Sequence, residues 1–310
     1  MSDKKQYLFG PVPSRRLGLS LGVDVVPFKI CTLDCVYCQV GRTTDMTIER
    51  KDYAPIDEIL SQLKEKIASG LKADYITLSG SGEPTLHSRL GELIEKIKTV
   101  TDIPVAILTN GTILWREDVR SDCAKADVVL PSLDAADEKT FLKINRPHPD
   151  INVEKIISGL CEFRKEFQRP IWLEVFLIEG INTGNAEIDH LKRAIELIRP
   201  DKVQLNTAVR PTADAGIERI KLEKMQEIAS KLPGDCEIIA DFSPKQLPEN
   251  IAAKAEDVLS MLKRRPCSLK DICSGLSIHQ NEALKYIGSL QNEGLITSAE
   301  KSGTLFYKAV

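Results

Sequence analysis

Cys31, Cys35 and Cys38 fall within the stretch KICTLDCVYCQVG, three thiols inside eight residues. Thiols this close rarely share a packing site by accident; the pattern points to metal or redox chemistry. Structural zinc usually takes four ligands, often as two closely spaced pairs, and the next thiol, Cys123, lies far along the chain. Cys35 and Cys38 alone have the spacing of a redox pair, but Cys31 is then surplus. An iron–sulfur cluster bound by four cysteines again lacks its fourth ligand. A cubane cluster bound by three leaves one iron without a protein ligand, and an open position is what catalytic metal sites keep and structural ones close. The count of three therefore reads as a functional signal.

Such a triplet needs a frame to hold it. From residue 20 to about 245, β-rich runs alternate with helical stripes. The runs are LSLGVDVV (19–26), YITLS (75–79), PVAILT (104–109), DVVLPS (127–132), IWLEVFLI (171–178) and KVQLNT (202–207). Ile56, Ile59, Leu60, Leu63 and Ile67 form one helical stripe, and Leu90, Leu93, Ile94 and Ile97 another. Similar stripes follow at Val153–Leu160 and Ile188–Ile198. Six strand–helix units in series predict a parallel sheet with helices outside it. Six is short of the eight of a closed barrel. The expected α/β fold is therefore a partial (β/α)6 barrel, with a doubly wound sheet as the alternative. CEIIADF (236–242) could add a closing strand.

In β/α barrels the site lies at the carboxyl ends of the strands. Here the first strand runs into the cysteine loop and the second into SGSGEPT (79–85). The others end in TNG (109–111), SLDA (132–135), EGIN (179–182) and NTAVRP (206–211). Such residues also serve turns, so TNG and EGIN alone decide little. Polar residues within strands carry more weight. Ser132 and Asp134 share a face, as do Gln204 and Asn206, and Glu174 sits between Leu173 and Val175. A buried carboxylate must be paired or hydrogen-bonded, so Glu174 is either a lumen group or half of a structural ion pair.

Cys31-Thr-Leu-Asp-Cys35-Val-Tyr37-Cys38, with an aromatic residue before the last cysteine, resembles the signature of the radical S-adenosylmethionine (SAM) superfamily. Ser81-Gly82-Glu83-Pro84 resembles that family's GGEP motif with Ser in place of the first Gly. The resemblance covers residues 20 to about 210. The block FGPVPSRRLGLSLGVDVVPFKICTLDCVYCQVG resembles one branch, stand-alone proteins related to the wyosine-base synthases of tRNA modification. Those synthases carry additional N-terminal cysteines, and this chain has none before Cys31, which argues against the wyosine reaction itself.

The resemblance implies that Cys31, Cys35 and Cys38 bind a 4Fe–4S cluster whose open iron is chelated by the amino and carboxylate groups of SAM. Tyr37 would lie beside the adenine. Ser81, Gly82, Glu83 and Pro84 would receive the methionyl amino group, through a carbonyl or carboxylate. Ser132 and Asp134 match where the family places ribose contacts, and Asn110 is a further candidate. The implied reaction is reductive cleavage of SAM to a 5′-deoxyadenosyl radical that abstracts hydrogen from a substrate. The protein holds and aims the cofactor. An electron donor such as a flavodoxin or ferredoxin is an implied partner. The substrate, whether RNA, peptide or small molecule, is not set by these motifs.

Residues 1–245 read as the radical SAM domain, SPKQLPEN (243–250) as a linker, and 250–310 as a small winged helix-turn-helix domain. IAAKAEDVLSMLKRR, SLKDICSGL (with a Ser N-cap) and SIHQNEALKYIGSLQNEG read as three helices. LITSAE and TLFYKAV then form a hairpin around KSG. That domain carries eight Lys or Arg against six Asp or Glu, and SIHQNEALKY has one lysine, Lys285. This is a weak basic footprint for DNA, where phosphate neutralisation supplies most of the affinity. Protein contact or substrate handling fits it better. An iron–sulfur-sensing winged-helix regulator is the competing reading, though a sensor needs neither the GEP loop nor a row of polar strand ends.

Arg15, Arg16, Arg146 and Arg210 could clamp an anion at a barrel mouth or form ordinary salt bridges. Cys123, Cys161, Cys236, Cys267 and Cys273 read as packing residues. His148 and His190 read as structural or exposed, and His87 receives no role. The composition is ordinary, 42% hydrophobic and 28% charged with net charge −3, so no global basic field marks a nucleic-acid binder. The N-terminus lacks the apolar core of a signal peptide, and no apolar run suggests a membrane span. A cytoplasmic protein with reduced thiols is expected.

Overall fold

The computed structural model describes residues 5–208, 212–214, 216–240, 249–264, 266–276, 278–301 and 304–310. Arg210, Pro211, most of the expected linker, and Ser302 and Gly303 of the expected hairpin loop lie outside the described residues.

β1 (Leu8–Ser14) pairs antiparallel with β2 (Gly18–Val23), and the cysteine loop follows, with the two-residue strands β3 (Ile30–Cys31) and β4 (Asp45–Met46) in parallel. Next come α1 (Ile56–Ala68), β5 (Tyr75–Leu78), a 3-10 turn at Pro84–Leu86, α2 (Leu90–Val100) and β6 (Val105–Thr109). α3 (Glu117–Cys123), β7 (Val128–Pro131), α4 (Glu138–Asn145), α5 (Val153–Glu166) and β8 (Trp172–Leu177) continue the series. α6 (Asn185–Ile198), β9 (Lys202–Thr207), α7 (Leu222–Lys231) and β10 (Cys236–Ile238) complete it. The sheet orders are β1-β2-β5-β6-β7 and β8-β9-β10, every pair after β1–β2 being parallel. Single parallel bridges, Val129 to Ile171 and Ser132 to Glu174, join β7 to β8. The strands thus follow chain order across both sheets.

All six expected strands and the four helical stripes are present. The antiparallel β1 lies in a stretch where the sequence pattern predicts no strand; two prolines and a glycine mask its alternation. α3, α4 and α7 are further helices, too short or too polar on their faces to stand out as stripes. The strands are apolar where helices cover them: all four residues of β7 are buried, as for a parallel strand covered on both faces. Against them pack the inner faces of the helices, for example Ile56, Ile59, Leu60 and Leu63 of α1. Asn152 and Asp137 cap α5 and α4 by accepting from the Lys155 and Thr140 amides, both at 2.9 Å.

In the tail, α8 (Glu249–Arg264), β11 (Cys267–Ser268), α9 (Leu269–Leu276), α10 (Gln280–Asn292), β12 (Ile296–Lys301) and β13 (Thr304–Ala309) enclose a second apolar core. Val258, Leu262, Ile272, Ile287 and Tyr307 are among its buried members. Ser268 and Asp271 form a reciprocal cap at α9: the Asp271 amide donates to Ser268 Oγ (3.2 Å) and the Ser268 amide to Asp271 Oδ2 (2.8 Å). No helix among the described residues is long and apolar enough to cross a membrane.

Candidate active site

The cysteine loop leaves β2 and is fastened on two sides. On one side the Lys29 amide donates to Ser81 O (2.8 Å) and the Glu83 amide to Ile30 O (3.1 Å), lacing it to the loop after β5. Gly82 makes this closeness possible: a Cβ there would lie 2.0 Å from Ile30 O. On the other side the Asp34 and Val36 amides donate to Asn145 O (3.0 Å) and Ile144 O (2.9 Å) at the end of α4.

Each thiol has its own N–H donor. Lys29 Nζ lies 3.2 Å from Cys38 Sγ, Asn145 Nδ2 3.4 Å from Cys35 Sγ, and Asn110 Nδ2 3.6 Å from Cys31 Sγ. Burial pushes the Cys31 pKa up to about 12 and raises that of Cys35 strongly, so these two thiols hold their protons at neutral pH in the metal-free chain. The Cys38 amide donates to Cys35 O (3.1 Å), and Asn110 and Asn145, which serve Cys31 and Cys35, line the same small pocket, so the thiols form one patch. Among the described residues no three His, Cys, Asp or Glu side chains converge on a single-ion site. Three sulfurs with N–H donors fit thiolate ligands, and three is one short of the four that a structural zinc usually takes. Asn145 Oδ1 adds a buried acceptor without a hydrogen-bond partner among the described residues.

The other expected site residues gather around this loop. Asn110, Ser132, Asp134 and Asn145 line one small pocket with Leu33. Tyr37 stacks on Phe176 of β8 (ring centroids 3.9 Å apart), and its hydroxyl donates to Asp134 Oδ2 (2.5 Å). Asp134 also accepts from Asn145 Nδ2 (2.7 Å) and the Phe176 amide (2.9 Å). Burial outweighs these donors and pushes its pKa up to about 6. Asp134 is thus a hub joining the cysteine loop, α4 and β8.

Glu83 is equally committed. Its Oε1 accepts from the Thr85 amide (3.0 Å), Thr85 Oγ1 (2.6 Å) and Thr109 Oγ1 (2.6 Å), and its Oε2 from the Asn110 amide (2.8 Å). Burial raises its pKa in spite of them. This carboxylate ties the β5 loop to the end of β6. Of the two acceptors expected for an ammonium at this loop, the carboxylate is occupied by four protein donors. Pro84 opens the 3-10 turn, and Ser81 is almost fully buried, its Oγ bonded to Asp24 and Gln280.

Farther along the sheet lies a row of polar side chains. Glu174 pairs in register with Gln204, and Gln204 with Glu237. Arg16 Nη1 meets Glu174 Oε2 at 2.5 Å, Asn206 Nδ2 meets Glu174 Oε1 at 2.7 Å, and Arg15 Nη1 meets Asn206 Oδ1 at 3.1 Å. Glu174 is therefore both a sheet-face carboxylate and half of an ion pair. Arg146 instead pairs with Asp214. His87 is fully buried between Ala54 O and the Arg89 amide, a structural histidine whose pKa burial lowers. Burial raises the thiol pKa values of Cys236 and Cys273 to about 11 and that of Cys123 further, as for packing residues.

Sequence reasoning missed Lys29, Asn145, His279 and Gln280. Lys29 and Asn145 stood beside residues that were singled out, but a lysine and an asparagine in loops carry no periodic signal. Gln280 meets Ser81 across 199 residues of chain, beyond the reach of any local pattern.

Residues 25–194, a little over half the chain, match the model of the Radical SAM superfamily. Over 98% of this chain and 45% of the relative, the sequence is 38% identical to a GTPase Obg of Brachyspira hyodysenteriae, so it spans less than half of that protein's length. It is 35% identical to a UPF0026 protein of Methanocaldococcus jannaschii over 96% of this chain and 94% of that one. A radical SAM methyltransferase from Sphaerobacter thermophilus shares the fold with a TM-score of 0.53 at 16% identity, covering 72% of this chain and 67% of its own. The chain belongs to the radical SAM superfamily, whose members use S-adenosylmethionine and a 4Fe–4S cluster.

Proposed function

We propose that this protein is a radical SAM enzyme in which Cys31, Cys35 and Cys38 bind three irons of a 4Fe–4S cluster and leave the fourth open to SAM. The observation that carries the reading is the triplet itself: three thiols in one patch, one N–H donor aimed at each sulfur, laced by backbone hydrogen bonds to the Ser81–Glu83 loop. A bound, reduced cluster would supply the one electron that breaks the C5′–S bond of SAM, releasing methionine and a 5′-deoxyadenosyl radical able to take hydrogen from a substrate. The chain's own residues bind and orient. Lys29 places a buried positive charge beside Cys38 and offsets the negative charge that thiolate ligation concentrates there. The Gly82 carbonyl takes the methionyl ammonium, joined by the second lone pair of Ser81 O, whose first accepts from the Lys29 amide. Tyr37, fixed by Phe176 and Asp134, presents its backbone to the adenine. Ser132 and Asn110, on the shared pocket, serve the ribose side, with Asp134 fixing Tyr37 and Asn145 around them.

In this reading residues 1–245 form a partial (β/α)6 barrel, and the row from Arg16 through Glu174 to Gln204 and Asn206 faces substrate in its lumen. Residues 250–310 form a winged-helix domain. An external flavodoxin- or ferredoxin-type protein donates the electron, and the resemblance of the block at residues 9–41 to proteins related to the wyosine-base synthases makes RNA a substrate class to screen beside peptides and small molecules.

The test is anaerobic reconstitution with iron and sulfide, reduction with dithionite, addition of SAM, and mass-spectrometric detection of 5′-deoxyadenosine. Product in the wild type and none in Cys38→Ala supports the reading. Undiminished product in Cys38→Ala refutes it.

A further inference from the structure

The end of α10 that a winged helix would use to read DNA lies against the barrel, on the loop assigned above to SAM. The surface that receives it is specific. The Phe9 ring on β1 lies flat over Gly22 on β2; a Cβ at Gly22 would sit 2.0 Å from that ring. His279 stacks on Phe9 (centroids 4.9 Å apart, planes at 15°). Its Nε2 lies 3.2 Å from Asp24 Oδ2, with the two side chains 10% and 7% exposed. Asp24 Oδ1 accepts from the Ser81 amide (3.1 Å), and its Oδ2 accepts from Ser81 Oγ. Gln280 Nε2 donates to the same Oγ. Gly80 crosses directly over Asp24: its φ is +140°, and a Cβ would meet Asp24 Oδ1 at 2.4 Å.

Ser81 is the position at which this chain departs from the glycine of the family motif. A glycine there could not receive Gln280, so the departure and the contact belong together. From Ser81 the connection runs on without a gap: Ser81 O holds the Lys29 amide, and Ile30 O holds the Glu83 amide, one residue before Cys31.

We propose that His279 and Gln280 are positioning residues of the radical SAM site. Through Asp24 and Ser81 they hold the Ser81–Glu83 loop against the cysteine loop, which makes the C-terminal domain a working wall of that site rather than a separate reader of nucleic acid. The consequence for SAM rests on the functional reading above; the hold on the loop does not.

The experiment therefore has two arms. In the first, hydrogen exchange is followed by mass spectrometry on the metal-free full-length chain. In His279→Ala and Gln280→Ala, amides in residues 79–84 should exchange about tenfold faster, the worth of one hydrogen bond in a buried network. Peptides from β12 and β13 should be unchanged, which shows that the tail remains folded. In a Ser81→Gly background, Gln280→Ala should add nothing further, because the bond it removes is already gone. Unchanged protection of 79–84, or fully additive effects, overturns the proposal. In the second arm, equilibrium dialysis of the reconstituted protein with labelled SAM should show about tenfold weaker binding in Gln280→Ala. Wild-type affinity in that variant overturns the positioning role even if the loop loosens. If the wild type itself binds no SAM, the functional reading falls, and the first arm alone decides whether the tail holds the loop.

Discussion

Gly82→Ala tests whether the two loops are laced as described. Gly82 is not in the left-handed region, so alanine carries no backbone penalty there and the cost is contact alone. The added methyl would stand 2.0 Å from the Ile30 carbonyl oxygen and 3.0 Å from Val26 Cγ2. The closer atom belongs to the backbone and cannot rotate away, so the loops must separate. Separation stretches the two lacing bonds, Glu83 N–H to Ile30 O and Lys29 N–H to Ser81 O. Each contributes roughly 1 kcal/mol net, and overpacking adds roughly 1–3 kcal/mol. A loss of about 3–5 kcal/mol follows, roughly two to nearly four decades in the folding equilibrium. Urea unfolding of the metal-free chain, followed by tryptophan fluorescence and circular dichroism together, measures it. Gly70→Ala, with open space around its Cβ but φ of +84°, is the control and should lose only the roughly 1 kcal/mol of backbone strain. Reconstituted Gly82→Ala should also hold less iron per chain than wild type. A Gly82→Ala protein within 1 kcal/mol of wild type and fully loaded with iron would refute the lacing argument.

Arg50, 7% exposed, forks between Asp118, Asp122 and the Thr85 and His87 carbonyls and clamps the turn after the GEP loop to α3. Arg50→Lys cannot reproduce the fork and should cost about 2–3 kcal/mol in the same urea titration; a loss under 0.5 kcal/mol would remove the clamp. Burial raises the Glu174 pKa, but Arg16, Asn206 and Arg15 outweigh it and hold the group below the ordinary carboxylate range. With the folded value depressed, the stabilisation is complete above the unfolded value of about 4.3 and disappears as pH falls through the folded one. Arg16→Met should therefore cost about 3 kcal/mol at pH 7, and its gap to wild type should narrow below about pH 4; a pH-independent gap contradicts the pairing. Lys29→Gln removes the buried charge beside Cys38, so the reconstituted cluster should be harder to reduce, read as a lower midpoint potential in an EPR-monitored titration. An unmoved potential would show that the ammonium does not act on the cluster.

The repeating part of this molecule was legible because repetition leaves a period. Strand runs such as DVVLPS and stripes such as Leu90-Leu93-Ile94-Ile97 name their elements without tertiary help. The triplet and the GEP loop were legible because close spacing forces residues together whatever the fold. What stayed hidden were the partners supplied by distant chain. Nothing around Asn145 shows that its amide will meet Cys35, 110 residues away, nor that Asp134 will gather Tyr37 and Phe176. Glu83 is instructive in another way. The motif named the residue correctly, but its type suggested a ligand carboxylate, and its four protein donors show a brace between two strand ends.

That brace bears on how such a site can be precise while standing on loops, which are ordinarily the mobile part of a β/α frame. The cysteine loop is held by hydrogen bonds on two sides, to the β5 loop and to α4. The β5 loop is in turn fixed by Glu83 to β6, by Arg50 to α3, and by Ser81 to Asp24 and the tail. No single fastening is strong, since each hydrogen bond contributes roughly 1 kcal/mol. They share residues, however, so loosening one requires moving groups that serve another, and their effects should be non-additive. Pairing Glu83→Gln with Gln280→Ala tests this. Independent fastenings would give the sum of the two single losses in urea, whereas a shared frame gives a double variant whose loss is smaller than that sum by at least about 0.5 kcal/mol. Strict additivity would mean that the loops are held separately, and the tail would then have no mechanical route to the cysteines.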